Sequence, residues 1–264
     1  MKISVIMPVA RLDKFFPLTL KSVESQTYKD YELILVCDKS LEMELQNILQ
    51  DYSFYSRVLS TELPGVAFAA NLGISQSTGE FIARWDSDDL CDPNRFQVQL
   101  DEFLNYPELD VIGTSVDLID EQGNLIKYQF YKFFEEDRQI RRALKYRCPL
   151  LHSSMIFRRN VLIKNKGYLY GHTSEDHELF IRIARDKNIK FKNIKSVKTY
   201  YRRHSHQLSN IGNNKYYAFY EISGFLFTEF LRTRDFMYLL GMFIVIPQFR
   251  QARLYWRNFK KLLK

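Results

Sequence analysis

Residues 76–93 read QSTGEFIARWDSDDLCDP. The Ser-Thr-Gly turn at 77–79 closes the segment before it, residues 80–85 are a short run of strand-forming character, and carboxylates follow at 86, 88, 89 and 92. That order predicts a buried strand over 80–85 that delivers Asp86 at its carboxyl end. Open α/β sheets collect their ligands along that edge, so the fold and the site are read from the same place.

Upstream, residues 66–76 are Ala-rich and of helical length, ending at the same turn. Residues 3–8 (ISVIMP) and 31–37 (YELILVC) are apolar runs of the kind buried in a sheet, and 17–26 carries Leu20 and Val23 at helical spacing. Ser40 is placed to cap the helix after 31–37. Counted this way, 80–85 is the third strand. Downstream, Pro93 opens a helix running to about residue 106. Residues 111–116 are expected to pair with 125–131 across the Glu121-Gln122-Gly123-Asn124 turn. Short apolar runs alternating with amphipathic stretches, with no internal repeat, mean an α/β fold.

The 264 residues are 46% hydrophobic, which suits a packed core rather than disorder. Lys and Arg number 38 against 31 Asp and Glu, a net +7 with a pI near 9.1; the partner this favours is anionic. Three cysteines, Cys37, Cys91 and Cys148, follow neither a zinc pattern nor a disulfide framework, so a reducing compartment fits. The N-terminal apolar run meets charges after about seven residues, too short for a secretory signal.

The carboxylates of Asp86, Asp88 and Asp89 repel one another unless a cation sits among them. A hard divalent ion, magnesium or manganese, takes oxygen ligands and commonly uses one or two carboxylates plus substrate phosphates. Asp86 and Asp88, two apart, reach one side if strand geometry persists. The alternative is a solvated acidic loop, with Asp89 or Asp92 capping the helix at Pro93. An aspartyl-phosphate phosphatase is disfavoured, because its DxDx(T/V) pattern follows the first strand, whereas here the cluster follows a later one and continues Asp89-Leu90.

Seven segments then matter together: SVIMPV at 4–9, SVESQTYKDYELILVCD at 22–38, AANLGISQSTGEFIARWDSDD at 69–89, PNRFQVQ at 93–99, HSSMIFRR at 152–159, SEDHELFIRIA at 174–184 and YRRHSHQLS at 201–209. In this order they resemble the family 2 glycosyltransferases, inverting enzymes of the GT-A fold, especially bacterial members that build O-antigen, capsule or lipooligosaccharide. The resemblance covers about residues 1–210. It implies a Rossmann-like mixed central sheet flanked by helices, with a nucleotide-sugar half at about 1–116, an acceptor half at about 117–210 and a C-terminal helical appendage at 211–264. It implies transfer of a hexose or N-acetylhexosamine from a UDP-sugar to a saccharide hydroxyl, with Mn2+ or Mg2+.

By the same resemblance, Pro8, Val9 and Ala10 line the nucleotide pocket through their backbone, and Asp38 accepts from the uracil N3–H, unless it caps the next helix. The family often has Asp-Asp-Gly-Ser where this chain has Cys37-Asp38-Lys39-Ser40. Asn71 and Gly73 approach the nucleotide and diphosphate, Gly73 by letting backbone come close; their structural alternative is helix-end chemistry. Arg84 pairs with the acidic cluster or reaches the donor sugar. Asp86 and Ser87 lie against the nucleotide, Asp86 contacting ribose or metal, and Asp88 binds the metal. Glu175 and Asp176 are the acidic pair, with Asp176 as general base; an acidic first helical turn is the plain structural alternative. His204 is a metal or diphosphate ligand, Arg202 and Arg203 neutralise phosphate, and His152 sits at the sugar or acceptor end.

Residues 236–246 are apolar but too few for a membrane span, which needs about twenty. From Phe249 onward Ala252, Tyr255, Trp256, Phe259, Leu262 and Leu263 face one side, and six basic residues with no acidic ones face the other. Such a helix suits an anionic membrane surface or packs on the domain with its basic face solvated. With a polyprenyl-diphosphate-linked or lipooligosaccharide acceptor, the expected location is cytoplasmic, peripheral on the inner face of the bacterial inner membrane. No nucleic-acid-binding motif accompanies the basic tail. A sugar-phosphate nucleotidyltransferase would want a Gly-rich loop after the first strand, which Met7-Pro8-Val9-Ala10-Arg11 lacks, and a non-enzymatic membrane scaffold would need neither Asp88 nor Asp176.

Overall fold

The computed structural model describes residues 1–126, 133–169, 174–205, 207 and 214–245. In chain order the elements are β1 (Ile3–Val9), α1 (Phe16–Glu24), β2 (Tyr31–Asp38), α2 (Glu42–Leu49), β3 (Ser56–Thr61), α3 (Val66–Gln76), β4 (Phe81–Arg84), β5 (Leu90–Cys91), α4 (Arg95–Asn105), β6 (Leu109–Ile119), α5 (Asp137–Leu144), β7 (Ile156–Arg158), α6 (Arg159–Lys164), α7 (Glu175–Ile183), β8 (Lys190–Arg202), α8 (Asn214–Thr233) and α9 (Phe236–Val245).

The strands form one sheet in the order β3-β2-β1-β4-β7-β6-β8-β5. From β3 to β4 it is parallel; β7 then runs antiparallel to both β4 and β6, β8 lies parallel to β6, and β5 closes the edge antiparallel to β8. β1 shows why a continuous apolar run marks this part of the sheet. Ile3, Val5, Met7 and Val9 enter one hydrophobic core with α1, α2 and α4, while Ile6 enters another with α3, α5, α7 and α8. Ile222 and Leu226 of α8 are buried in that second core. The helix-lined mixed sheet is the expected α/β architecture.

Three expectations change. The strand at 80–85 is the fourth in chain order, because β3, SRVLST, is a partly buried edge strand whose polar residues gave no apolar run. Residues 111–116 pair with β7 and β8, and the turn at 120–124 instead joins the end of β6 to Leu125 through the Ile119–Leu125 bridge; residues 127–131 lie outside the described residues. Pro93 precedes α4, whose N-cap is Asn94.

β5 is short but positions the site. Its register, Leu90 with Tyr200 and Cys91 with Thr199, carries the chain from the end of β4 across to β8. The acidic residues 86–89 are the crossing, and they therefore lie against the carboxyl end of β8.

Gly73, expected near the nucleotide, packs α3 onto the sheet: a Cβ there would sit 2.6 Å from Ile6 Cγ2 and 3.2 Å from Val36 Cγ2. Gly73→Ala should therefore cost about 1–3 kcal/mol by overpacking. Gly224→Ala, in open space on α8, should gain about 0.5–1 kcal/mol. Urea denaturation checks both, and a neutral Gly73→Ala would contradict the packing account.

Candidate active site

The carboxyl ends of β1 and β2 form one wall. Val9 is buried, Pro8 partly so, and Ala10 is exposed. Asp38, at the end of β2, is exposed and accepts from the Ser40 amide at 2.9 Å and the Ser40 hydroxyl at 2.7 Å. These bonds hold its carboxyl below the usual carboxylate range. The cap is therefore Asp38, the alternative weighed for it, and not Ser40, which donates to it in the tight 3-10 turn over Lys39–Leu41.

The acidic loop is fastened from within. Asp89 is fully buried; its carboxylate accepts from the Arg202 amide at 2.9 Å and from the Ser153 hydroxyl. Its carbonyl accepts from Thr19 Oγ1 at 3.1 Å and Trp85 Nε1 at 3.2 Å. Burial, with Asp88 and Asp86 close by, pushes its pKa well up. Asp88 stands partly open and its Oδ2 lies 2.8 Å from His204 Nε2; burial and the Asp86 charge raise its pKa. Asp86 pairs with Arg84 at 2.9 Å. Arg84 is itself buried, donating to the carbonyls of Ile6 at 3.2 Å and Trp85 at 2.7 Å.

Arg202 departs from its expected part. Its guanidinium is buried and donates to the carbonyls of Asp88 at 3.0 Å and Asp120 at 2.9 Å, over the ring of Phe15. An arginine so placed holds loop backbone. Arg203, just past the end of β8, is exposed. His204 is buried beside Asp88.

The third wall comes from residues 152–177. Glu175 and Asp176 open α7, partly buried, in its first turn. Burial, then the neighbouring Asp176 charge, pushes Glu175 up to about 8. Burial also raises Asp176, to about 6, with the Asp86 charge adding to it and the His177 amide opposing it. The His152 ring bonds the Tyr168 hydroxyl in the interior; burial and the Arg84 charge push the imidazole pKa well down, so it is neutral. Burial raises Tyr168, which also feels the charges of Arg84, Glu175, Asp176 and Asp86. Arg84, Asp86, His152, Tyr168, Glu175 and Asp176 thus share one electrostatic neighbourhood.

Asn71 supports that wall. Its side chain donates to the Tyr168 carbonyl at 2.7 Å and accepts from the Tyr168 amide at 2.8 Å. Gly167, at φ +59°, fits beneath it, where a Cβ would meet Asn71 Oδ1 at 2.1 Å. Tyr168 had no sequence signal beyond being aromatic, and Asp89 was hidden as one acid among four.

Metal-donor chemistry centres on Asp88 and His204, since Asp86 is engaged by Arg84. No cluster of three or more His, Cys, Asp or Glu with metal-holding geometry occurs among the described residues. Two adjacent donors, one a partly open carboxylate, fit a hard cation whose remaining ligands are phosphate oxygens and water.

The sequence profile described as Glycosyl transferase family 2 matches residues 4–165, more than half of the chain. The chain belongs to glycosyl transferase family 2. It is a glycosyltransferase, and relatives agree. It is 31% identical over 236 residues to the O-antigen biosynthesis glycosyltransferase WbnJ of Escherichia coli, spanning 88% of this chain and 90% of that one. Identity to the amylovoran biosynthesis glycosyltransferase AmsE of Erwinia amylovora is 27% over 167 residues, 62% of each chain. Among solved structures, S. aureus TarS 1-349 in complex with UDP-GlcNAc aligns with a TM-score of 0.64 at 18% identity, covering 96% of this chain and 81% of that one. That likeness shows the shared GT-A fold.

The contrast between these neighbours at the end of β8 is testable. Arg202→Met should destabilise by about 2–3 kcal/mol, the worth of lost charged hydrogen bonds, whereas Arg203→Ala should stay within about 0.5 kcal/mol. Chemical denaturation of both variants decides it, and equal small shifts would refute the structural role of Arg202.

Proposed function

We propose that this family 2 enzyme transfers a hexose or N-acetylhexosamine from a UDP-sugar to a saccharide hydroxyl by direct displacement with inversion. The observation that carries the reading is that Asp86 acts electrostatically on both chemistries: on Asp88, which meets His204 at the acidic loop, and on the Glu175–Asp176 carboxyl pair at the start of α7. Support for the donor comes from the TarS structure, which holds UDP-GlcNAc.

Asp88 and His204 are the residues that would hold Mn2+ or Mg2+, which when bound neutralises the diphosphate leaving group. Asp86, steadied by Arg84, faces the nucleotide side with Ser87. Asp38 and the backbone of Pro8, Val9 and Ala10 line the base end. Asp176 takes the proton of the acceptor hydroxyl as its oxygen attacks the anomeric carbon and the bond to the diphosphate breaks. With a pKa near 6, Asp176 is ionised at neutral pH, while Glu175, near 8, keeps its proton and can donate to the acceptor. No covalent intermediate is needed. The acceptor we favour is lipid-linked, with the enzyme peripheral on a membrane's cytoplasmic face. No described helix is long and apolar enough to cross a bilayer, and the basic amphipathic segment from Phe249 on lies outside the described residues.

UDP release over a donor panel with manganese or magnesium tests the reading. Asp88→Ala and Asp176→Asn should each lower kcat by about 10²–10⁴-fold, and undiminished turnover in both would overturn the assignment. Because a base must be deprotonated, kcat/KM should fall about tenfold per pH unit below about pH 6, where Asp176 gains its proton. A flat profile between pH 5 and 7 would exclude Asp176, whose group titrates near 6.

A further inference from the structure

α9 crosses the end of α5 in backbone contact. A Cβ on Gly241 would lie 1.9 Å from the Lys145 carbonyl oxygen, so only glycine allows the approach. Beside the crossing a groove of about 540 Å³ opens between Met237 and Ile244 of α9, Tyr146 beyond α5, and Phe133 and Phe134. That is the size of a small-molecule site. Its one charged lining residue among those described is Arg142.

The charges around it are unequal in their commitments. Arg141 pairs with Asp137, Lys145 with Asp235, and Arg147 lies over the Phe134 ring. Arg142 is exposed and has no ion pair among the described residues, and the same holds for Arg138 one turn earlier on α5. On α9, Phe236, Leu240 and Phe243 remain exposed, and the chain continues with six basic residues and no acidic one from Arg250 to its end. An apolar trough with an unpaired cationic rim complements an apolar chain that ends in an anion.

We propose that this groove binds the hydrocarbon chain of an anionic lipid, with Arg142 at its rim taking the phosphate. α5, which gives the groove Arg142, also braces α7: the Leu144 carbonyl at its end bonds the His177 ring at 2.8 Å, next to Asp176. As the seat of a lipid-linked acceptor the groove rests on the transferase reading; as a lipid site it does not.

The test is calorimetric titration of the full chain with octyl and dodecyl phosphate below micelle-forming concentrations, with dodecyl maltoside and inorganic phosphate as further arms. Each buried methylene is worth about 0.8 kcal/mol, so dodecyl phosphate should bind at least tenfold tighter than the octyl homologue. Arg142→Glu should weaken dodecyl phosphate at least tenfold and leave dodecyl maltoside unchanged. Ile244→Gln should weaken both. UDP binding, measured in the same samples, should be unaltered in either variant; its absence from the wild-type protein would count against the transferase reading alone. Equal affinity for the two chain lengths, or full competition by inorganic phosphate, would reduce the groove to an anion site and overturn the proposal. A dimer dissociated by Ile244→Gln, with no dodecyl phosphate bound, would assign it to a second copy of the chain and overturn it too.

Discussion

The carboxylate of Asp89 has no contact with water, and three segments far apart in sequence meet on it. It is the end of the acidic loop; it takes the hydroxyl of Ser153 from the turn before β7, and it takes the backbone amide of Arg202 at the end of β8. A buried acceptor left without its donors costs about 1–3 kcal/mol or more, so each segment is held by the need to satisfy this one group. Arg202 answers from the other side, its guanidinium returning to the Asp88 carbonyl. The effect is to set Asp88 beside His204. Without the tie there is no fixed donor pair at the sheet edge.

The second half of the site is held by a different device. Asn71 grips the backbone at Tyr168 through two hydrogen bonds, and the left-handed Gly167 makes room for it. The Arg182 guanidinium binds the Gly167 carbonyl from α7 at 2.8 Å. Gly167 and Tyr168 are thus anchored to α3 on one side and to α7 on the other. Arg84 lies between the halves, in contact with Asp86 and close enough to His152, Tyr168 and the carboxyl pair to shift them all. A single buried cation keeps several acids near one another without making them all ionise.

Much of this was legible in residues. β1, β2 and β4 are buried on both faces and therefore read as apolar runs, and α3 was legible from its alanines and the Ser-Thr-Gly turn that ends it. β3 and β5 were not legible: one is a polar edge strand, the other two residues long, and its pairing with β8 is a long-range fact. In the site, residue type limited what each group could do but not what it faced. Asn71, Gly73 and Arg202 were expected at the ligand because their segments resemble those of the family. Each serves the scaffold, and only the register of β8 and the packing of α3 reveal that. Conversely, Asp89 looked like one more acid of the cluster, when its burial makes it the structural one.

The account rests on a single displacement in which the acceptor hydroxyl, stripped of its proton by Asp176, attacks opposite the leaving diphosphate. The anomeric configuration of the product reports this most directly. Proton NMR of the disaccharide linkage formed from a UDP-sugar with an α anomeric bond should show the β configuration. An α-linked product would contradict the account, since retention requires either a second displacement or a departure from the same face.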